Sequence, residues 1–96
     1  MALTESSDYR AEEIAKYFDE FGIREWNRLV ATPVAEVSLH IHTHYLEEYV
    51  QPGSYVLEIG AGAGRFTQVL ARLKAKVLVA DISQVQIDLN MHHAEL

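Results

Sequence analysis

The densest chemistry in this 96-residue chain lies between Val56 and Thr67, in the run VLEIGAGAGRFT. Gly60, Gly62 and Gly64 alternate with alanine directly behind a short apolar segment. Glycines in that place let the backbone bend sharply and let a ligand approach without meeting a Cβ. Phe66 and the residues after it return to helical spacing. A helix there would aim its free N–H groups and positive dipole end at whatever fills the bend. Glu58 precedes the first glycine by two positions, and Asp81 follows it by 21, closing a second apolar run, KVLVA. A carboxylate such as Glu58 attracts a cationic ligand and repels a diphosphate. Asp81 suits a ribose, whose hydroxyls need an acceptor.

A dinucleotide-binding turn requires G-x-G-x-x-G. Counted from Gly60 the third glycine falls on Arg65, and counted from Gly62 on Thr67, so both registers fail. The pattern that stands there is E-x-G-x-G-x-G, Glu58 to Gly64.

Elements must hold these residues in place. Tyr55–Ile59 and Lys76–Ala80 are short apolar runs bounded by turn residues, as expected of buried parallel strands. Phe66, Val69, Leu70 and Leu73 predict the helix between them. The link Leu73-Lys74-Ala75-Lys76 lacks the glycine common at such a helix end, though its lysines suit the negative end of the dipole. Ser83 and Gln86 form a capping box that opens a further helix. The result is a β-α-β-α unit with a right-handed crossover.

Ahead of it, residues 1–8 read as a polar start. Ile14, Tyr17, Phe18 and Phe21 mark an amphipathic helix from Tyr9 to about Phe21, ended by Gly22. Ile23–Val30 reads as a short helix with Trp26, Leu29 and Val30 inward. Thr32-Pro33 starts another, since a hydroxyl caps it and proline at the first position loses no hydrogen bond. It runs to about Val50 with Val34, Val37, Ile41, Tyr45 and Tyr49 on one stripe, and Gln51-Pro52-Gly53 ends it.

Residues 55–90 resemble the first two motifs of the class I S-adenosylmethionine-dependent methyltransferases, VLEIGAGAGRFT and the strand KVLVA closed by Asp81. The helical segment containing YFDEFGIREWNRL is also similar to the N-terminal cap of small bacterial-type methyltransferases. The resemblance implies an α/β, Rossmann-like methyltransferase fold in truncated form. A helical cap would occupy residues 1–52, and the first half of the cofactor-binding domain residues 53–96. It implies S-adenosyl-L-methionine as cofactor, with the backbone of Gly60, Ala61 and Gly62 along its adenosyl and methionyl portions. Gly64 and Arg65, which complete the turn, are also expected among the cofactor-binding residues. Glu58 would favour the ligand's amino group, Asp81 would accept both ribose hydroxyls, and Ile82 would pack on the adenine. The implied activity is methyl transfer to an unidentified small-molecule acceptor. The alternatives are a non-catalytic nucleotide-binding module and an NAD-dependent oxidoreductase fragment, the latter disfavoured by Arg65.

No catalytic residue is assigned. A complete domain of this class has seven strands, and the base or acceptor pocket is expected from strands beyond Leu96. The chain stops inside a helix at His93–Leu96, which suggests a piece of a longer protein. One edge of Tyr55–Ile59 would then lack a partner, and unpaired edges invite self-association.

Composition limits the remaining readings. The chain is at most one small domain. It has no cysteine, hence no disulfide or thiolate metal site. Its net charge of −6 sits in residues 1–50, with four basic against ten acidic side chains, so nucleic acid is a poor partner. The acidic start is no secretory signal, and no apolar stretch reaches the roughly 18 residues of a membrane span. A soluble, cytoplasmic protein is expected.

Two groups of side chains compete as sites. His40-Ile41-His42-Thr43-His44 is similar to the H-x-H motif of metal-dependent hydrolase barrels, but on a helix Glu36, His40, His44 and Glu48 simply share one face. Two histidines do not make a structural zinc site. His92 and His93 are expected to be solvated. Arg28 could meet a methionyl carboxylate, but a surface pair with Glu25 is the favoured reading. Tyr9, Tyr17 and Trp26 are expected in the core rather than in a lid.

Overall fold

The computed structural model describes residues 10–94; Tyr9, the polar start and Glu95-Leu96 lie outside the described residues. Helices α1 (Ala11–Phe21), α2 (Arg24–Arg28) and α3 (Pro33–Tyr49) precede β1 (Tyr55–Ile59), α4 (Arg65–Arg72), β2 (Lys76–Ala80) and α5 (Gln84–Ala94). The two strands are parallel and in register from Tyr55 opposite Lys76 to Ile59 opposite Ala80. N-terminal helices followed by a parallel β-α-β-α unit make a partial Rossmann-like methyltransferase fold.

Local signals explain most boundaries. Thr32 Oγ1 accepts from the Ala35 N–H at 3.1 Å with Pro33 next to it, so α3 starts where its cap stands. Helix α4 ends in a double turn: Lys74 N–H donates to Ala71 O at 3.0 Å and Ala75 N–H to Leu70 O at 3.1 Å. This Schellman geometry needs a left-handed residue, and Lys74 supplies it with φ 65° where glycine is usual.

Five packing expectations need correction. The strands are covered on one face rather than two. Val56, Glu58, Val77 and Val79 are half-buried, whereas Tyr55, Leu57, Ile59 and Leu78 on the opposite face are exposed. The α3 stripe from Val34 to Tyr49 is exposed as well; Ala35, Ser38, Leu39, Thr43 and Leu46 are the half-buried side chains. Two apolar stripes overlap on this helix, and periodicity alone does not say which one finds a neighbour. Val30 falls beyond α2 and is exposed, and Tyr17 is 59% exposed on the wall of a cleft. His93 is buried, because its ring turns back under the glycine bend.

The interior is correspondingly polar. Ala63, Val69 and Leu70 are buried together with Thr67, Ser83, Gln86, Asn90 and His93, where α4, α5 and the glycine turn meet. The predicted capping box is only half made. Gln86 N–H donates to Ser83 Oγ at 3.1 Å, but the Gln86 amide leaves the helix end and donates to Phe18 O and Gly22 O, tying α5 to the end of α1. Asp19 of α1 completes that tie by accepting from Ser83 Oγ.

Candidate functional site

At the carboxyl ends of β1 and β2 the chain doubles back over the sheet. Gly60 and Ala61 both direct their N–H groups at Ala80 O, at 2.8 and 3.3 Å. Asp81, one residue further, accepts from Gly62 N–H through Oδ2 at 2.8 Å and from Ser83 N–H through Oδ1 at 2.9 Å. The glycine bend and the acid at the end of β2 are thus one hydrogen-bonded unit. Each carboxylate oxygen keeps a further lone pair for a ligand hydroxyl.

The bend requires left-handed backbone, with φ 67° at Gly60 and 57° at Gly62. A Cβ on Gly60 would meet nothing within 4 Å, so that position opens onto free space. A Cβ on Gly62 would come within 3.2 Å of Glu25 Cγ. Helix α5 supports the turn from behind. Asn90 Nδ2 donates to Gly62 O at 3.3 Å and to Thr67 Oγ1 at 2.9 Å, and His93 Nδ1 lies 2.6 Å from Ala63 O. A carbonyl only accepts, so the His93 proton in that bond sits on Nδ1.

In front of the turn lies an open cleft of about 750 Å³. Gly60, Gly62, Asp81 and Ile82 form its floor; Ile14, Tyr17, Phe18 and Phe21 of α1 form an apolar wall; Glu25 and Arg28 of α2 stand at its side. Ligands of open α/β sheets characteristically bind outside the carboxyl ends of the strands, which is where this cleft sits. Arg28 is bound by Glu25 in bidentate fashion at 2.7 and 3.0 Å, as the sequence suggested. That bond raises the Arg28 pKa further above its ordinary value.

The sequence-predicted residues divide into three groups. Gly60, Gly62, Asp81 and Ile82 converge on the cleft. Ala61, Gly64 and Arg65 line a smaller hollow of about 80 Å³ behind the turn. Arg65 is engaged there: its guanidinium lies 3.7 Å from the centre of the Trp26 ring and its Nε donates to Trp26 O at 2.9 Å. Burial lowers its pKa. Glu58 borders a third space, the groove of about 760 Å³ beside α3, together with Gly60 and Ala61. Its carboxylate turns toward α4, accepts from Thr67 Oγ1 and does not line the cleft. Burial raises its pKa, and the Thr67 hydrogen bond offsets that in part.

Glu25 is the cleft carboxylate that sequence reasoning did not single out. Its three-residue spacing from Arg28 predicts an ion pair, but nothing local says that α2 folds back onto the turn. The histidines of α3 build no comparable centre. Among the described residues, no group of three or more His, Asp or Glu side chains is placed to hold a metal ion. His44 instead lies 4.0 Å from Glu48 on the exposed face of α3.

No protein-family model and no solved structure matches the chain. Among curated proteins it is similar to the ubiquinone biosynthesis O-methyltransferases of three Coxiella burnetii strains, Dugway 5J108-111, RSA 331 / Henzerling II and CbuG_Q212. Each is 31% identical over 85 residues, which cover 88% of this chain and 36% of the relative. The chain therefore spans about a third of the length of the curated relatives it matches, and its similarity is to an O-methyltransferase in that part.

Proposed function

We propose that this chain binds S-adenosyl-L-methionine and forms the cofactor-binding part of a methyltransferase acting on a small-molecule acceptor. The observation that carries the reading is the Asp81–Gly62 hydrogen bond, which joins the acid just beyond β2 to the glycine bend at the floor of the cleft. Asp81 would accept from the ribose hydroxyls, Ile82 would cover an adenine face, and Gly60 would admit the ligand chain where no Cβ stands. The residues fit such a ligand by charge as well. S-adenosylmethionine carries a sulfonium and no phosphate, and the cleft offers the carboxylates of Asp81 and Glu25 with Arg28 already paired. The distant O-methyltransferase similarity supports the same cofactor. When bound, that cofactor supplies an electrophilic methyl group, and catalysis would rest largely on holding an acceptor in line with it.

Calorimetric titration with S-adenosylmethionine, S-adenosylhomocysteine and NAD tests the reading. Binding of the first two and not the third is expected. Binding of NAD alone would replace it with the oxidoreductase reading, and silence from all three would leave the cleft without its proposed ligand.

A further inference from the structure

Helix α5 turns a polar stripe inward. Ser83 at its start and Gln86, Asn90 and His93 along it are buried, whereas its apolar Ile87 and Leu89 are half-buried and Met91 is exposed. A buried amide or imidazole costs free energy unless it is hydrogen-bonded, so such a stripe stands where its bonds are made. Ser83 and Gln86 direct theirs to α1. Asn90 and His93 direct theirs to the turn between β1 and α4.

That turn is held peptide by peptide from the segment between Ala80 and His93. Ala80 O accepts from the N–H groups of Gly60 and Ala61, and Asp81 accepts from that of Gly62. Asn90 Nδ2 donates to the next carbonyl, Gly62 O, and His93 Nδ1 donates to Ala63 O. Gly62 is thus fixed on both sides, its amino-side peptide by Asp81 and its carboxyl-side peptide by Asn90 from behind. Asn90 comes this close because Gly64 leaves room; a Cβ there would stand 3.1 Å from Asn90 Cγ. The second Nδ2 proton of Asn90 goes to Thr67 Oγ1, so both of its donors are used.

Resting on the cofactor reading above, we propose that Asn90 is a positioning residue of the cofactor site. It does not line the cleft. It holds the Gly62 carbonyl, and through it keeps the Gly62 N–H on Asp81, before any ligand arrives. Glycine is the residue most free to leave such an arrangement. Without the Asn90 bond the turn samples others, and apparent affinity falls with the fraction that stays competent. A buried hydrogen bond of ordinary strength moves such a population by roughly tenfold. The bond to Thr67 serves the packing of α5 on α4 and has no part in this role.

The test titrates S-adenosylhomocysteine into the unaltered chain, Asn90→Ala, Asn90→Asp and Thr67→Val, and records the denaturation midpoint of each. Asn90→Ala should bind roughly tenfold more weakly. Asn90→Asp should lose more, because its carboxylate faces Gly62 O; if it does not fold, the alanine variant decides alone. Thr67→Val removes the other Asn90 bond and leaves the one to Gly62. Its midpoint should fall as that of Asn90→Ala does, with affinity kept within about twofold. An Asn90→Ala chain that binds as the unaltered one does would overturn the proposal. So would loss of affinity in Thr67→Val equal to that in Asn90→Ala, which would make Asn90 a packing residue. Both results leave the cofactor reading intact, because the unaltered chain binds. An unaltered chain that does not bind removes the cofactor reading and this inference with it.

Discussion

Asp81 holds two backbone N–H groups on two carboxylate oxygens, and that duty sets what a substitution there will do. Asparagine replaces one acceptor with an NH₂ that must face a donor, so Asp81→Asn should destabilise the chain by about 1–3 kcal/mol. Chemical denaturation measures this; an unchanged midpoint would mean the turn does not lean on that carboxylate. Glu58 behaves differently. Burial holds its pKa above the ordinary glutamate value, so the neutral acid is the form that the fold favours. The stability this contributes is fully present below the ordinary value and is lost as pH rises through the raised one. Glu58→Gln should therefore melt higher than the unaltered chain at neutral pH, with the difference closing in the acid range. A lower melting point at neutral pH would contradict that sign. Lys74 sits at φ 65° in the Schellman turn, a conformation that costs a side-chain-bearing residue about 1 kcal/mol. Lys74→Gly should recover up to about that amount, read from the same melts.

Among the elements, the glycine turn is supported less by its own strand than by α2 and α5. Trp26 of α2 meets the His93 ring at 3.6 Å between centres and the Arg65 guanidinium at 3.7 Å, close enough that the two must lie on opposite faces of the indole. His93 in turn bonds Ala63 O. His93→Ala removes the stack and that bond, and should cost roughly 1–3 kcal/mol. Trp26 is the only tryptophan in the chain, so its fluorescence reports this junction directly. An unchanged emission spectrum and denaturation midpoint in the variant would show that the stack contributes nothing. This is also the scale at which the sequence was least legible. Strands β1 and β2, the turn between them and the Thr32 cap could be read because each is written in a few adjacent residues. The inward turn of His93, the use of Gln86 to grip α1, and the approach of Glu25 to Gly62 depend on residues 30 to 68 positions apart. Periodicity carries no information about such pairings.

For the whole molecule the decisive feature is apolar surface without cover. The exposed face of the sheet, with Tyr55 at 83% and Ile59 at 78% exposure, adjoins the bare stripe of α3. A groove of about 760 Å³ runs along β1 between Tyr45 and Tyr49 of α3 and Phe66 and Leu70 of α4. Strand β1 has a partner on one side only among the described residues. Open edges beside apolar grooves favour pairing with another chain. Light scattering should therefore find the 96-residue chain self-associating as concentration rises. A monomer at all concentrations with a cooperative melt would go against it. The sequence named both strands as buried, and that is where the chain and its expected fold part company: apolar composition records the cover a strand is suited to, whereas exposure records the cover it has.

Backbone amide spectra recorded during a titration with S-adenosylhomocysteine report what the turn between β1 and α4 holds. Saturable shifts are expected at the amides of Gly60, Gly62, Asp81 and Ile82, with NAD leaving them unmoved. Shifts confined to the α3 groove, or a response at the turn to NAD alone, would contradict the account.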